Sequence, residues 1–159
     1  MASSVLADIS ERFDVVTTFD SMEHWHHSPK RLFRQVADKL LKPGGRFVLG
    51  VPNCVNLRKR FSVPLGIGKW SRMEDWYEEP EFRGHVREPD AADLRYIARD
   101  MGMKDVQILG RNWQGYGSQS GLVRLATWIA DRPLRMFPSL CADLYVTGRS
   151  PQANTGTNV

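Results

Sequence analysis

Cysteine is nearly absent: Cys54 and Cys141 are the only two among 159 residues. Two thiols build no disulfide scaffold, and without a C-x-x-C pair there is no thiolate zinc site to read. Long apolar runs are missing as well. No stretch approaches the ~18 uncharged apolar residues of a membrane span. Residues Met1 to Asp8 carry neither the basic region nor the sustained apolar region of a secretory signal. Charge of one sign does not dominate, since 22 Lys and Arg stand against 18 Asp and Glu, a net +4. The basic run Arg58-Lys59-Arg60 comes without a helix-turn-helix or RNA-binding signature, so no nucleic-acid partner is expected. Glycine is also absent ahead of Phe13. These absences describe a reduced, cytoplasmic domain. What is present suffices for a core: 42% of residues are hydrophobic, in a chain within the ~100–200 residues of one domain.

Phe13-Asp14-Val15-Val16-Thr17-Thr18-Phe19 is short, apolar and β-branched, which predicts a strand buried on both faces. Asp20 to His27 therefore sits at its C-terminal end. Ser28-Pro29 opens a helix whose stripe is Leu32, Phe33, Val36, Ala37, Leu40 and Leu41. Lys42-Pro43-Gly44-Gly45 stops it, and Arg46 to Val51 forms a second strand closed by Pro52-Asn53. Strand, helix, glycine turn and strand make a βαβ unit with parallel strands. Residues 54–88 show no period and predict a long loop. Asp90 caps a helix striped with Leu94, Ile97, Ala98 and Met101 and ended by Gly102. Val106 to Leu109 and Leu144 to Thr147 read as two more strands, an antiparallel closing pair. Between them, Leu122 to Phe137 is a basic amphipathic stretch broken by Pro133. Its tryptophan and leucines predict a helix docked on the sheet, with a membrane surface as the alternative. The domain spans 1–149, and 150–159 reads as a disordered polar tail.

Two segments together resemble the class I S-adenosylmethionine-dependent methyltransferases. One is Phe13-Asp14-Val15-Val16 running into Phe19-Asp20-Ser21-Met22-Glu23-His24; the other is Leu40-Leu41-Lys42-Pro43-Gly44-Gly45-Arg46-Phe47-Val48-Leu49. The resemblance makes the first the family's fourth strand with its post-strand motif, and the second its following helix and fifth strand. Gly84-His85-Val86-Arg87-Glu88 ahead of a helix, and the apolar closing strand, fit as well. The implied fold is α/β, a partial Rossmann-like three-layer sandwich with a mostly parallel sheet and an antiparallel closing strand. The family's first strand, its G-x-G-x-G turn and the following ribose-binding acid have no counterpart here. The chain thus resembles strands four to seven. A partner chain or a missing N-terminal half would complete the sheet.

The resemblance implies S-adenosylmethionine as cofactor, with Phe19, Asp20 and Ser21 against the donor. It also implies methyl transfer to an oxygen or nitrogen of a small metabolite or glycan. The alternative is an inactive remnant acting as a binding or scaffold module, or a truncated gene product. His24 is the candidate base, an imidazole able to take a proton from a hydroxyl or amine, with Glu23 beside it. Asn53, His85 and Arg87 are candidate substrate contacts. No metal is expected. The alternative is a divalent ion on Asp20, Glu23 and His24, spaced along one short turn like the acid-x-x-Glu-His cluster of some members that methylate catechol-like or ribose hydroxyls. Trp70, Trp76, Tyr77 and Trp113 either stack on an acceptor or pin the long loop.

Overall fold

A computed structural model describes residues 9–68, 71, 73–78, 80–82 and 84–152. Strand β1 (Phe13–Phe19) is followed by helix α1 (Lys30–Gln35) and strand β2 (Leu41–Pro52). Helices α2 (Leu57–Ser62) and α3 (Ala91–Asp100) precede strand β3 (Lys104–Arg111), helix α4 (Gly121–Leu134) and strand β4 (Asp143–Arg149). The sheet order is β1-β2-β4-β3. β1 and β2 are parallel, and β4 inserts antiparallel to both β2 and β3. Three strands therefore share one direction and β4 opposes them, the expected mostly parallel sheet with an antiparallel closing strand.

The βαβ unit forms as its sequence dictates, with two refinements. α1 covers only Lys30–Gln35, and the chain continues as a wider π turn over Val36–Leu40. Ser28 does not cap in the expected way: the cap position is Pro29, which has no side-chain capping bond, although Ser28 Oγ accepts from the Lys30 N–H at 3.4 Å. The strand begins at Leu41, and Gly44 absorbs the sharp turn within it at φ +74°, a left-handed conformation that costs glycine least. α3 matches its signal closely. Asp90 accepts from the Ala92 and Asp93 N–H groups, and Asp93 returns a bond to the Asp90 N–H, a complete capping box.

The core lies on one face of the sheet. Phe33, Val36, Ala37 and Leu40 cover Phe47, Leu49 and Val51, while Leu94, Ala98 and Met101 cover Leu144 and Val146. Each large side chain so buried contributes on the order of 1.5–3 kcal/mol. Of the three layers expected, the described residues supply the sheet and this helical layer. Among the described residues the opposite face is bare. There Val15 is 53% and Phe19 49% exposed, and Phe13 and Leu109 are exposed beside them. β1 was expected to be buried on both faces. Instead one face of it is exposed, and it is paired on one side only among the described residues, the open edge that an incomplete sheet leaves.

The segment 54–88 is not wholly irregular. Asn56 caps α2 through the Lys59 N–H, and a helical turn spans Glu74–Tyr77. α4 corrects the docking expectation: Trp128 is 69% exposed, and Leu122, Leu125 and Ile129 face outward with it. Its attachment is polar. Buried Asp131 accepts from Asn112 Nδ2 at 2.9 Å, Tyr116 Oη at 3.2 Å and Arg135 Nη2 at 2.5 Å. The Asn112 side-chain oxygen in turn accepts from the Ala142 N–H at 2.9 Å. Of the tail, Ser150 is buried and its N–H donates to the Gly45 carbonyl at 2.8 Å; residues 153–159 lie outside the described residues. No helix among the described residues is long and apolar enough to cross a membrane.

Candidate active site

The carboxyl ends of β1, β2 and β3 form one rim of the sheet with the start of β4, the edge where open α/β sheets bind ligands. At the end of β1 the chain turns sharply. Asp20 adopts φ +44° and its N–H donates to the Gly50 carbonyl at 3.1 Å. A non-glycine residue in that conformation is uncommon and needs neighbours to hold it. Phe19 packs its ring edge on Tyr145, centroids 5.8 Å apart, directly over Gly50. A Cβ on Gly50 would stand 2.5 Å from the Tyr145 ring and 2.7 Å from that of Phe19. Glycine is thus what lets the two rings meet across β2. Phe19, Asp20, Val48, Leu109, Arg111, Trp113, Tyr145 and Thr147 bound a cavity of about 350 Å³ on the bare face. Ser21 is turned the other way, its hydroxyl 2.7 Å from that of Thr18.

One step along, the turn Met22–His24 carries Glu23 into the interior, 1% exposed. The Glu23 carbonyl accepts from the Val86 N–H at 2.6 Å and the Arg87 N–H at 3.3 Å, which brings residues 84–88 onto the rim. His24 and His85 then meet edge to face, ring centroids 4.8 Å apart. His24 Nδ1 lies 3.2 Å from the Gly84 carbonyl, and its Nε2 lies 4.0 Å from Glu23 Oε1. His85 Nδ1 is 2.7 Å from Glu88 Oε1, and the other oxygen of Glu88 is held by Lys59 Nζ. Burial pushes the Glu23 carboxyl above the usual carboxylate range, against the weaker opposing effect of its own backbone N–H and of the two imidazoles. Glu88 moves the other way: burial would raise it, but the hydrogen bonds from Lys59 and His85 hold it below its ordinary value. Glu23 Oε2 has no hydrogen-bond partner among the described residues.

The remaining candidates are more dispersed. Asn53 is fully buried, its amide hydrogens donated to the Ser139 and Cys141 carbonyls at 2.9 and 2.8 Å and its oxygen accepting from the Val55 N–H at 3.0 Å. It ties the end of β2 to the start of β4. The exposed Arg87 side chain reaches Asp93 at 3.3 Å. Arg87 also borders a second cavity, of about 530 Å³, between Met22, Trp25, Phe33, Tyr96 and Ile97. Trp76, Tyr77 and Trp113 are exposed, and Trp70 lies outside the described residues. Of the residues singled out as metal ligands, Glu23 and His24 form a group of potential ligands together with His85 rather than Asp20. Sequence reasoning missed Glu88 and Lys59 as site residues. The His85-x-x-Glu88 spacing was the available signal for Glu88. Nothing local marks Lys59, the middle of the basic run Arg58-Lys59-Arg60, as the buried partner. Burial raises the thiols of Cys54 and Cys141, the opposite of what a reactive cysteine needs.

The sequence profile of a methyltransferase-domain family matches residues 2–108. The chain belongs to that family. The resemblance drawn from β1 and from the Pro-Gly-Gly turn is therefore borne out, down to the parallel pairing of the two strands that carry it. No curated protein matches this methyltransferase domain. Several solved structures do. A methyltransferase from Thermotoga maritima, described as a possible histamine N-methyltransferase, is 13% identical over 89% of this chain and 57% of its own, with a TM-score of 0.53. An S-adenosylmethionine-dependent methyltransferase from Archaeoglobus fulgidus is 17% identical over 91% of this chain and 63% of its own, TM-score 0.48. A phosphoethanolamine N-methyltransferase from Haemonchus contortus, in complex with S-adenosylmethionine, is 15% identical over 88% of this chain and 34% of its own, TM-score 0.48. At these identities the likeness is one of fold. The methyltransferase domain spans between 34% and 63% of the length of these structures.

Proposed function

We propose that this domain takes part in methyl transfer from S-adenosylmethionine to an oxygen or nitrogen of a small metabolite or glycan. The observation that carries the reading is the rim cavity at the end of β1, lined by Asp20 in its left-handed turn and by the packed rings of Phe19 and Tyr145. When bound, the cofactor supplies a methyl group already activated on a sulfonium. The cavity suits such a cation: Phe19, Tyr145 and Trp113 offer aromatic walls, and Asp20 offers the negative charge. Ser21, held against Thr18, stiffens the same turn.

The chain's own residues then handle the acceptor. His24 Nδ1 donates to the Gly84 carbonyl, so its Nε2 is the basic atom, turned toward buried Glu23. Nε2 takes the acceptor's proton as the new bond to the methyl group forms and the bond to sulfur breaks. His85 and Arg87 flank the acceptor side, and Asn53 fixes the floor of the rim. The bare face and the outer edge of β1 favour further polypeptide, a preceding half or a partner chain, lying along that edge to complete the donor site. The same exposed Val15 and Phe19 favour a second reading, a module that binds the cofactor weakly without turning it over.

Titration calorimetry of the full chain with S-adenosylhomocysteine separates these from no binding at all. Half a donor site predicts an affinity near the millimolar range, about 4 kcal/mol, weakened severalfold in Asp20→Ala. Absence of heat at millimolar ligand refutes the donor site.

A further inference from the structure

We propose that Glu23, His24 and His85 bind one zinc-like divalent transition-metal ion. One potential ligand atom of each lies within 4.8 Å of the others. The ligands come from two segments that the bonds from Val86 and Arg87 to the Glu23 carbonyl lock together. Glu23 is 1% exposed, yet its Oε2 has no hydrogen-bond partner among the described residues. A buried, unsatisfied carboxylate oxygen costs free energy, and such groups are rare unless something occupies them. A cation is the occupant that best offsets that cost.

The surroundings of the two imidazoles are those of metal ligands. A carbonyl oxygen only accepts, so the contact with Gly84 makes His24 Nδ1 the protonated nitrogen and leaves Nε2 as the donor atom. Glu88 sets the same tautomer in His85 by accepting from its Nδ1. Carboxylate and carbonyl partners behind the distal nitrogen orient metal-binding histidines and raise their basicity. Lys59 neutralises Glu88, so the charge that faces the ion is that of Glu23. Two imidazoles and one carboxylate are a donor set of catalytic zinc sites, with a fourth position open to water or a substrate oxygen. A tetrahedral ion with bonds of about 2.1 Å holds its ligand atoms roughly 3.4 Å apart, so the three side chains close by about 1 Å on loading. Asp20 lies outside the cluster, which distinguishes this site from the linear Asp20, Glu23, His24 set.

The proposal does not rest on methyl transfer. The two readings meet at His24 Nε2, which holds either a proton or the ion. Metal binding is measured without cofactor or acceptor, so failure of one reading leaves the other standing.

The test is zinc titration of the full chain after chelator treatment, by calorimetry and by metal analysis after dialysis. One equivalent is expected. Loss of a ligand in His85→Ala or Glu23→Gln weakens binding more than about tenfold, and Glu88→Gln weakens it ~10–100-fold. His26→Ala with His27→Ala leaves it unchanged. Should the ligand variants fail to fold, wild-type protein gives a second readout: zinc shields His24 and His85, but not His26 and His27, from histidine acylation. Less than a tenth of an equivalent retained, binding that survives His85→Ala, or equal acylation of the four histidines overturns the site.

Discussion

The imidazoles of His24 and His85 stand edge to face, 4.8 Å between centroids, one just past β1 and the other just ahead of α3. This contact joins the post-strand turn to the segment that precedes the next helix, and it makes the two histidines unequal in role. His24 presents Nε2 toward Glu23, whereas His85 is anchored on Glu88. With an acceptor identified, His24→Ala is expected to lower kcat by ~10²–10⁴ while cofactor affinity stays unchanged. Steady-state kinetics alongside calorimetry checks this; unaltered kcat removes His24 from proton transfer.

Lys59 and Glu88 form an ion pair whose side chains are each 9% exposed. Removing one partner leaves the other charge buried, at a cost of ~3–5 kcal/mol. Lys59→Met should therefore lower the urea midpoint sharply, and Lys59→Met with Glu88→Leu should recover most of the loss. A single variant within about 1 kcal/mol of wild type would contradict a buried pair.

Asp131 gives the acid response its sign. Burial alone would raise its carboxyl, but the bonds from Asn112 and Arg135 prevail and hold it below the usual value. A native pKa below the unfolded one contributes stability above the ordinary range near 4, and that stability is lost as pH falls through the native value. Unfolding experiments across the acid range should show wild type losing more stability than Asp131→Asn, with Asp131→Asn already destabilised at neutral pH by about 1–3 kcal/mol. Parallel acid profiles would contradict the network.

Gly50 separates packing from chemistry. A methyl group there overlaps both Tyr145 and Phe19, so Gly50→Ala must displace the rings that wall the rim cavity. The expected cost is about 1–3 kcal/mol, accompanied by weaker binding of S-adenosylhomocysteine. Thermal unfolding and calorimetry on one preparation measure both.

The βαβ unit and the capped helix α3 were legible because their signals are local: a β-branched run, a Pro-Gly-Gly turn, and an Asp90-x-x-Asp93 capping box. The bare face of β1 was not, because Phe13, Val15 and Phe19 spell a buried strand whether or not anything covers them. α4 misled for a related reason. Its Trp128 and leucines read as a docking stripe, while the contacts that attach it run through Asp131, Asn112 and Arg135, which carry no periodic signal. Asp20 to His24 were visible as candidates, but the meeting of Glu23 with His85 depends on two bonds from a distant segment to one carbonyl. Lys59 was hidden in a basic run whose other members face solvent.

The proposed methyl-donor site lies at the end of β1. Backbone amide NMR of the full chain during titration with S-adenosylhomocysteine tests it residue by residue. Progressive shifts are expected at Phe19, Asp20 and Ser21, echoed at Trp113 and Tyr145. Shifts confined to the cavity beside Trp25 and Tyr96, or none at millimolar ligand, would contradict it.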